Sequence, residues 1–420
     1  MVDHGPGAGS GPAALGVGGT TAAYAQAPAV SGTGPAPLSL DLLSPFRHYP
    51  APGSFAFQGR TLVAEYARDS LLSSRVDVYL HRYRPETAVV LACDLRTGKL
   101  LAMGERSDSA VTASPRLAFA GGFPAASLIK ILTAAAALEL KVHEVTDSIP
   151  QVGSYHTLYR RQLRPDDRWA GKVTLQEAFS KSVNPAFGLL GISLGADALR
   201  RYAERLGFNR ASPPSCVAPS VMLVPDTGFA LAEAACGFTS KTTISPWHAL
   251  ELARALGDDG VLRPCALARS LRDPQGGEVP LHGAAAPGTM VSAENLAKLQ
   301  AMMQATVRSG TARKGFHSVL RAAQLEKIEV GGKTGSLDGE LGTDSAKGRF
   351  DWFIGYARLK EDPAHGMALC VMLVHKEYRA TSSAQFSALL VRDWLAAEIK
   401  ARKIEAAPHP ASPPGTAPAG

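Results

Sequence analysis

The chain has 420 residues, 45% of them hydrophobic and 19% charged, which suits one large globular domain or two modest ones. Its net charge of +7 comes from basic residues that are scattered rather than massed into runs, so a solvated basic surface is expected and not a nucleic-acid partner. No run reaches the roughly 20 apolar residues of a membrane span.

Residues 1–58 are rich in Gly, Ala and Pro, and residues 1–46 hold no Lys or Arg, so a disordered arm is expected there. Within it, Ala23-Tyr24-Ala25 followed by Gln26 has the A-x-A pattern of an export-signal tail whose basic beginning is absent. That pattern leads us to expect an extracytoplasmic location, with a plain disordered arm as the alternative. Residues 405–420 have the same composition and are read as a disordered tail, which leaves 59–404 for the folded domain.

Residues 60–84 read as a helix. TAVVLACDL (87–95), the turn Arg96-Thr97-Gly98 and KLLAMGE (99–105) read as a β-hairpin. FPAASLIKILTAAAALEL (123–140) reads as an Ala/Leu-rich helix with Pro124 just ahead of it. The pattern from 171 to 256 is mostly helical, broken by Pro/Ser-rich loops near 211–225, and 292–308 forms another helix. Three strand-like runs follow at 328–337, 350–359 and 366–375. The last element is a helix over 383–402, with Phe386, Leu389, Leu390, Trp394, Leu395 and Ile399 on one stripe. These elements imply an α+β fold: an antiparallel β-sheet flanked by N- and C-terminal helices, with a mainly helical subdomain inserted between the two groups of strands.

The five cysteines, Cys93, Cys216, Cys236, Cys265 and Cys370, lie far apart with no C-x-x-C, which argues against structural zinc. Cys93 and Cys370 fall inside apolar strands and read as packing residues; the odd total leaves at least one thiol unpaired. The 11 histidines are dispersed, with no metal-ligand spacing. His156, in a polar loop, and His375, at a strand end, read as ordinary surface or satisfied residues. No metal or organic cofactor is expected.

Three short patterns can carry chemistry. In Ser127-Leu128-Ile129-Lys130, serine and lysine stand three residues apart on one helix face, within reach of each other. A serine hydroxyl is a weak nucleophile until a neighbour takes its proton. A lysine can do so once burial, a nearby cation such as Lys333, or a helix N-terminus lowers its pKa. In Ser182-Val183-Asn184, a hydroxyl able to relay a proton stands two residues from an amide able to hold both a substrate carbonyl and the lysine. In Lys333-Thr334-Gly335-Ser336, a cation and a hydroxyl can grip a carboxylate, and Gly335 permits close backbone approach. The amides of Ser336 and Ser127 could together form an oxyanion hole. This G-K-T is no phosphate-binding loop, because Lys327 stands where that motif requires glycine and a strand, not a helix, follows.

Taken together and in this order, S-x-x-K, S-x-N and K-T-G resemble the active-site signature of penicillin-binding proteins and serine β-lactamases. TAVVLACDLRTGKLLAM, the segment around Ser182, RSGTA (308–312) and FDWFIGYA (350–357) resemble further landmarks of the transpeptidase domain, over roughly residues 60–400. The 55 residues from Ser127 to Ser182 and the 151 from Ser182 to Lys333 resemble the high-molecular-weight transpeptidases. No E-x-x-L-N follows Ser182, and Asn184 stands where class D enzymes carry Val.

The resemblance implies a D,D-transpeptidase. Ser127 would be the nucleophile, Lys130 its base, and Ser182 with Asn184 the proton relay and substrate holder. Lys333, Thr334, Gly335 and Ser336 would bind the terminal carboxylate and carbonyl of a peptidoglycan stem peptide, with β-lactam antibiotics as inhibitors. A D,D-carboxypeptidase, a β-lactamase, and a non-turnover sensor or scaffold remain as alternatives. On this reading, the roughly 60 residues ahead of the domain are expected to hold neither the glycosyltransferase domain nor the long pedestal of other family members.

Overall fold

The computed structural model describes residues 69–107, 117–164, 170–210, 217–266, 268–279, 288–341, 346–376 and 378–405, with strand segments 38–39, 53–57, 60–66 and 281–282. Gly53–Phe57 (β1) pairs antiparallel with Arg60–Tyr66 (β2), whose other edge takes Ala268–Arg272. Leu38–Ser39 lies parallel to Leu281–His282. Thus part of the expected arm is strand, and residues 60–66 are strand where a helix was expected. The local reason is a period of two: Leu62 is fully buried between exposed Thr61 and Val63. The helix begins later, at Ser70–Tyr83 (α1), where the Asp69 carboxylate caps it by accepting the Leu72 amide at 2.7 Å. The Ala23-Tyr24-Ala25 box and residues 406–420 lie outside the described residues.

The main sheet is built from Thr87–Asp94 (β3), Leu100–Ser107 (β4), Ile328–Leu341 (β5), Ala346–Leu359 (β6) and Gly366–His375 (β7). All neighbours are antiparallel, in the order β5-β6-β7-β3-β4. The expected fold class is therefore observed. The last strands are longer than their apolar runs, because β5 and β6 continue as a polar ribbon to Leu341 and Ala346.

Between β4 and β5 the chain runs through Lys130–Glu139 (α2), Leu175–Ser180 (α3), Asn184–Leu194 (α4), Ala196–Arg205 (α5), Gly228–Cys236 (α6), Pro246–Gly257 (α7), Ala293–Arg308 (α8) and Arg313–His317 (α9). Ser383–Glu405 (α10) closes the fold. Val89, Leu91 and Cys93 of β3 pack with Trp352, Met372 and the α7 residues Trp247 and Leu250. Ala88, Val90 and Ala92 point the other way, into a second core with Val76 of α1 and Phe386, Leu390 and Trp394 of α10. A strand covered on both faces has no polar alternation, which is why TAVVLAC is an unbroken apolar run. The stripe of α10 packs on the sheet as expected.

The helical insertion depends on small residues where helices cross. A Cβ on Gly191 of α4 would stand 2.0 Å from the Ala235 Cβ of α6, so glycine sets how closely these two helices approach. Gly191→Ala is expected to overpack this crossing and destabilise the protein by about 1–3 kcal/mol. The loss should appear as a lower urea midpoint with an unchanged slope.

Candidate active site

The segment expected to be one helix over 123–140 has three parts. Phe123–Pro124 pairs with Thr243–Ile244, Ala126–Ile129 forms a 3₁₀ turn, and the α-helix starts only at Lys130. Two features impose this shape. Ala126 is held at φ 49°, a left-handed conformation that is costly for a residue with a Cβ. Gly237, at φ 71°, approaches so closely that a Cβ there would fall 1.9 Å from the Ala126 carbonyl oxygen. In a 3₁₀ turn, residues i and i+3 eclipse, and Lys130 Nζ lies 2.8 Å from Ser127 Oγ.

Lys130 is fully buried, yet each of its three ammonium donors has an acceptor. The other two are Asn184 Oδ1 and the Cys236 carbonyl, both at 2.7 Å. The Cys236 carbonyl ends α6, and Gly237 ends that helix in the left-handed conformation common after a helix C-terminus. The carbonyls of Ala235 and Cys236, which lack partners within their own helix, are bound by Thr133 Oγ1 and Lys130 Nζ. The negative end of α6 thus faces the ammonium. Burial nevertheless pushes the lysine pKa down to about 8.

Ser182 also has a left-handed backbone, at φ 57°. Asn184 opens α4, with Pro185 next to it in the first turn. Its Nδ2 donates to the His156 carbonyl at 3.0 Å, which fixes its Oδ1 toward Lys130. Lys333 is fully buried on β5, the edge strand of the sheet, and donates to Ser182 Oγ at 3.0 Å and the Thr334 carbonyl at 2.9 Å. Burial and the neighbouring Lys130 hold its ammonium well below the usual lysine range. The two lysines lie over aromatic faces, Lys130 over Phe187 at 5.7 Å and Lys333 over Phe179 at 5.6 Å.

Thr334 and Thr311 share a hydroxyl–hydroxyl hydrogen bond. Thr311 belongs to RSGTA, where a Cβ on Gly310 would stand 2.2 Å from the Ser180 carbonyl oxygen, so this turn docks beside Ser182. The nearest atoms to a Cβ on Gly335 are Ala125 O, Ala126 Cβ and Leu128 Cγ, each at 3.4 Å. These are ordinary contact distances, and they place β5 directly beside the serine turn. Ser336 lines the same space.

All three motifs therefore meet in one cavity of about 820 Å³, lined by Ser127, Ser182, Asn184, Thr334 and Ser336 among others. Sequence reading passed over three participants. His156 lines this cavity, and burial, with Lys130, Lys333 and Arg349 adding to it, keeps its imidazole below the ordinary pKa. The Cys236 carbonyl is a main-chain atom and leaves no mark on the sequence. Thr311 was marked as a landmark without a role. His375, expected at the surface or satisfied, is buried, with neither ring nitrogen hydrogen-bonded among the described residues.

An antiparallel sheet lies between helical layers, and beside it two buried lysines are hydrogen-bonded to serines in one cleft. The chain belongs to the penicillin-binding protein transpeptidase domain family, which it matches over residues 88–392. It is 28% identical over 259 residues to the peptidoglycan D,D-transpeptidase PbpA of Mycolicibacterium smegmatis, covering 59% of this chain and 50% of the relative. It is 29% identical over 250 residues to PbpA of Mycobacterium tuberculosis, covering 56% and 47%. The chain thus spans about half the length of these curated relatives. Among solved structures, penicillin-binding protein A from M. tuberculosis superposes with a TM-score of 0.60 at 25% identity, covering 80% of both chains. Its imipenem acyl-enzyme complex gives a TM-score of 0.61 at 25% identity, covering 79% of both chains.

Gly237→Ala is expected to displace the serine turn, through both the positive φ and the contact with the Ala126 carbonyl. Covalent labelling by a fluorescent penicillin should slow more than tenfold, while the far-ultraviolet circular dichroism stays close to that of the parent.

Proposed function

We propose that the chain is a penicillin-binding D,D-transpeptidase acting on peptidoglycan stem peptides that end in D-alanyl-D-alanine. The observation that carries this reading is the hydrogen bonding of Lys130. Asn184 Oδ1 and the Cys236 carbonyl can only accept, so they take two N–H groups whatever the protonation state. The third position faces Ser127 Oγ: a proton in the ammonium, a lone pair in the amine. The neutral amine is thereby aimed at the serine hydroxyl it is to deprotonate.

Lys333 is a buried lysine with one hydroxyl, that of Ser182, and one carbonyl for hydrogen-bond partners, and no carboxylate pairs with it among the described residues. The terminal carboxylate of the stem peptide supplies the missing counter-charge, with the Thr334 and Thr311 hydroxyls beside it. That anion stabilises the charged form of Lys333. Ser127 then attacks the carbonyl between the two D-alanines. The serine proton passes to Lys130 and onward through Ser182 to the departing amine, and D-alanine leaves. The amides of Ser127 and Ser336 hold the developing oxyanion. An amine of a neighbouring stem attacks the ester, loses its proton by the same route, and regenerates the serine.

Transfer is favoured over rapid hydrolysis by the bond from Lys130 to Asn184, which keeps the lysine a hydrogen-bonded amine in a polar setting rather than a carboxylated base in an apolar one. We place the reaction outside the cytoplasmic membrane, where its substrate lies. No helix among the described residues is long and apolar enough to cross a membrane.

A fluorescent penicillin should label the protein covalently, and Ser127→Ala should abolish the label. Followed by intact-protein mass, the penicilloyl adduct should persist for many minutes, since a missing deacylating base costs about 10²–10⁴-fold in rate. Decay within seconds would assign the chain to the β-lactamases.

The acylation rate should also report on Lys130. The base must be neutral, so the rate should rise about tenfold per pH unit on the acid side and level off above about pH 8. A flat profile between pH 6 and 9 would remove Lys130 from the role of base.

A further inference from the structure

Two of the buried thiols face each other. Cys93 Sγ on β3 and Cys265 Sγ, just beyond the short strand Val261–Leu262, are 3.7 Å apart, although 172 residues separate them in sequence. Both side chains are buried, Cys93 completely and Cys265 to within 3%. Their backbones are held on either side. The Cys265 amide donates to Glu251 Oε1 at 3.1 Å, and Ala266 bonds to Gly98 and Leu100 of the hairpin at 2.9 and 2.8 Å. Arg254, from α7, ties both segments together through the carbonyls of Leu95, Arg96 and Pro264. Cys236 and Cys370 have no cysteine partner among the described residues.

We propose that Cys93 and Cys265 are a cross-linking site, joined by a disulfide bond when the chain folds in an oxidising compartment. A disulfide needs its sulfurs about 2.05 Å apart, so side-chain rotation has to bring them about 1.6 Å closer than the reduced pair. The bond closes a ring that contains Ser127, Lys130, Ser182 and Asn184 and leaves Lys333 outside it. It clips the entrance and exit of that stretch of chain to one end of the sheet. The balance is that of thiol–disulfide exchange. A disulfide donor such as oxidised glutathione accepts two electrons, the two cysteines lose two protons, and two molecules of thiol are released. Burial and mutual contact raise the Cys265 thiol well above its usual range, so the folded dithiol holds little thiolate. The bond therefore forms during folding and is shielded afterwards.

In the cell this bond rests on the location proposed above, but the pairing itself is independent of the acyl-transfer chemistry. The test uses the whole chain, refolded in a reduced/oxidised glutathione buffer, then denatured and alkylated with N-ethylmaleimide. Three added maleimides on five cysteines, with a Cys93–Cys265 peptide in the digest, are expected. Five maleimides, or a linkage between other cysteines, would overturn the proposal. The oxidised protein should also melt about 5 °C above the reduced one. That difference should vanish in Cys93→Ser and in Cys265→Ala, while penicillin labelling of Ser127 at low temperature stays unchanged. A difference that persists in both variants would equally overturn the assignment.

Discussion

The site depends on a single buried ammonium. Lys130 lies at the start of one helix, takes one acceptor from the first turn of another and a second from the last turn of a third, and turns what remains toward Ser127. An ion stripped of water destabilises the fold unless its donors are all satisfied. Three elements must therefore meet at the correct distance before the lysine can be buried at all. The small residues between those helices follow from this requirement. Gly191 against Ala235, and Gly237 against Ala126, remove the side-chain thickness that would hold the acceptors away.

Lys333 extends the same logic to the sheet. It reaches Ser182 from the edge strand, so the helical insertion and the sheet are joined at the cleft by a cation and a hydroxyl rather than by packing alone. Lys130 lies close enough for its charge to add to burial in lowering the pKa of Lys333, so the two motifs are linked electrostatically as well as by hydrogen bonds. Backbone strain at Ala126 and Ser182 is concentrated here and is held by the rigid elements around it.

Much of this was legible in the residues. The hairpin at 87–105 and the late strands were visible because turn residues bracket apolar runs of strand length. The packing stripe of the last helix was visible because Phe386, Leu390 and Trp394 repeat at helical spacing. The three motifs could be found because each needs a specific side chain at a fixed interval. Residues 60–66 were misread because Thr61 to Tyr66 also suits a helix, and what makes them a strand is pairing on both edges, with Gly53–Phe57 just ahead of them and with Ala268–Arg272 far along the chain. The 3₁₀ geometry around Ser127 was hidden for a similar reason. Ala126 has no intrinsic preference for a positive φ and is held there by Gly237, more than a hundred residues away. His156 was set aside because nothing local distinguishes a loop histidine that lines a cleft from one in open solvent.

The use of the Cys236 carbonyl has a consequence for how such a site can vary. A main-chain oxygen cannot be deleted by any single side-chain replacement, so this part of the lysine's surroundings is insulated from mutational drift in polar identity. Vulnerability moves instead to volume. Substitutions that thicken the crossing of α4 and α6 or the Gly237 contact shift the carbonyl without changing any polar side chain of the cleft. Sequence variants that reposition the Lys130 ammonium relative to Ser127 are accordingly to be sought among small apolar residues, several of which do not line the cavity.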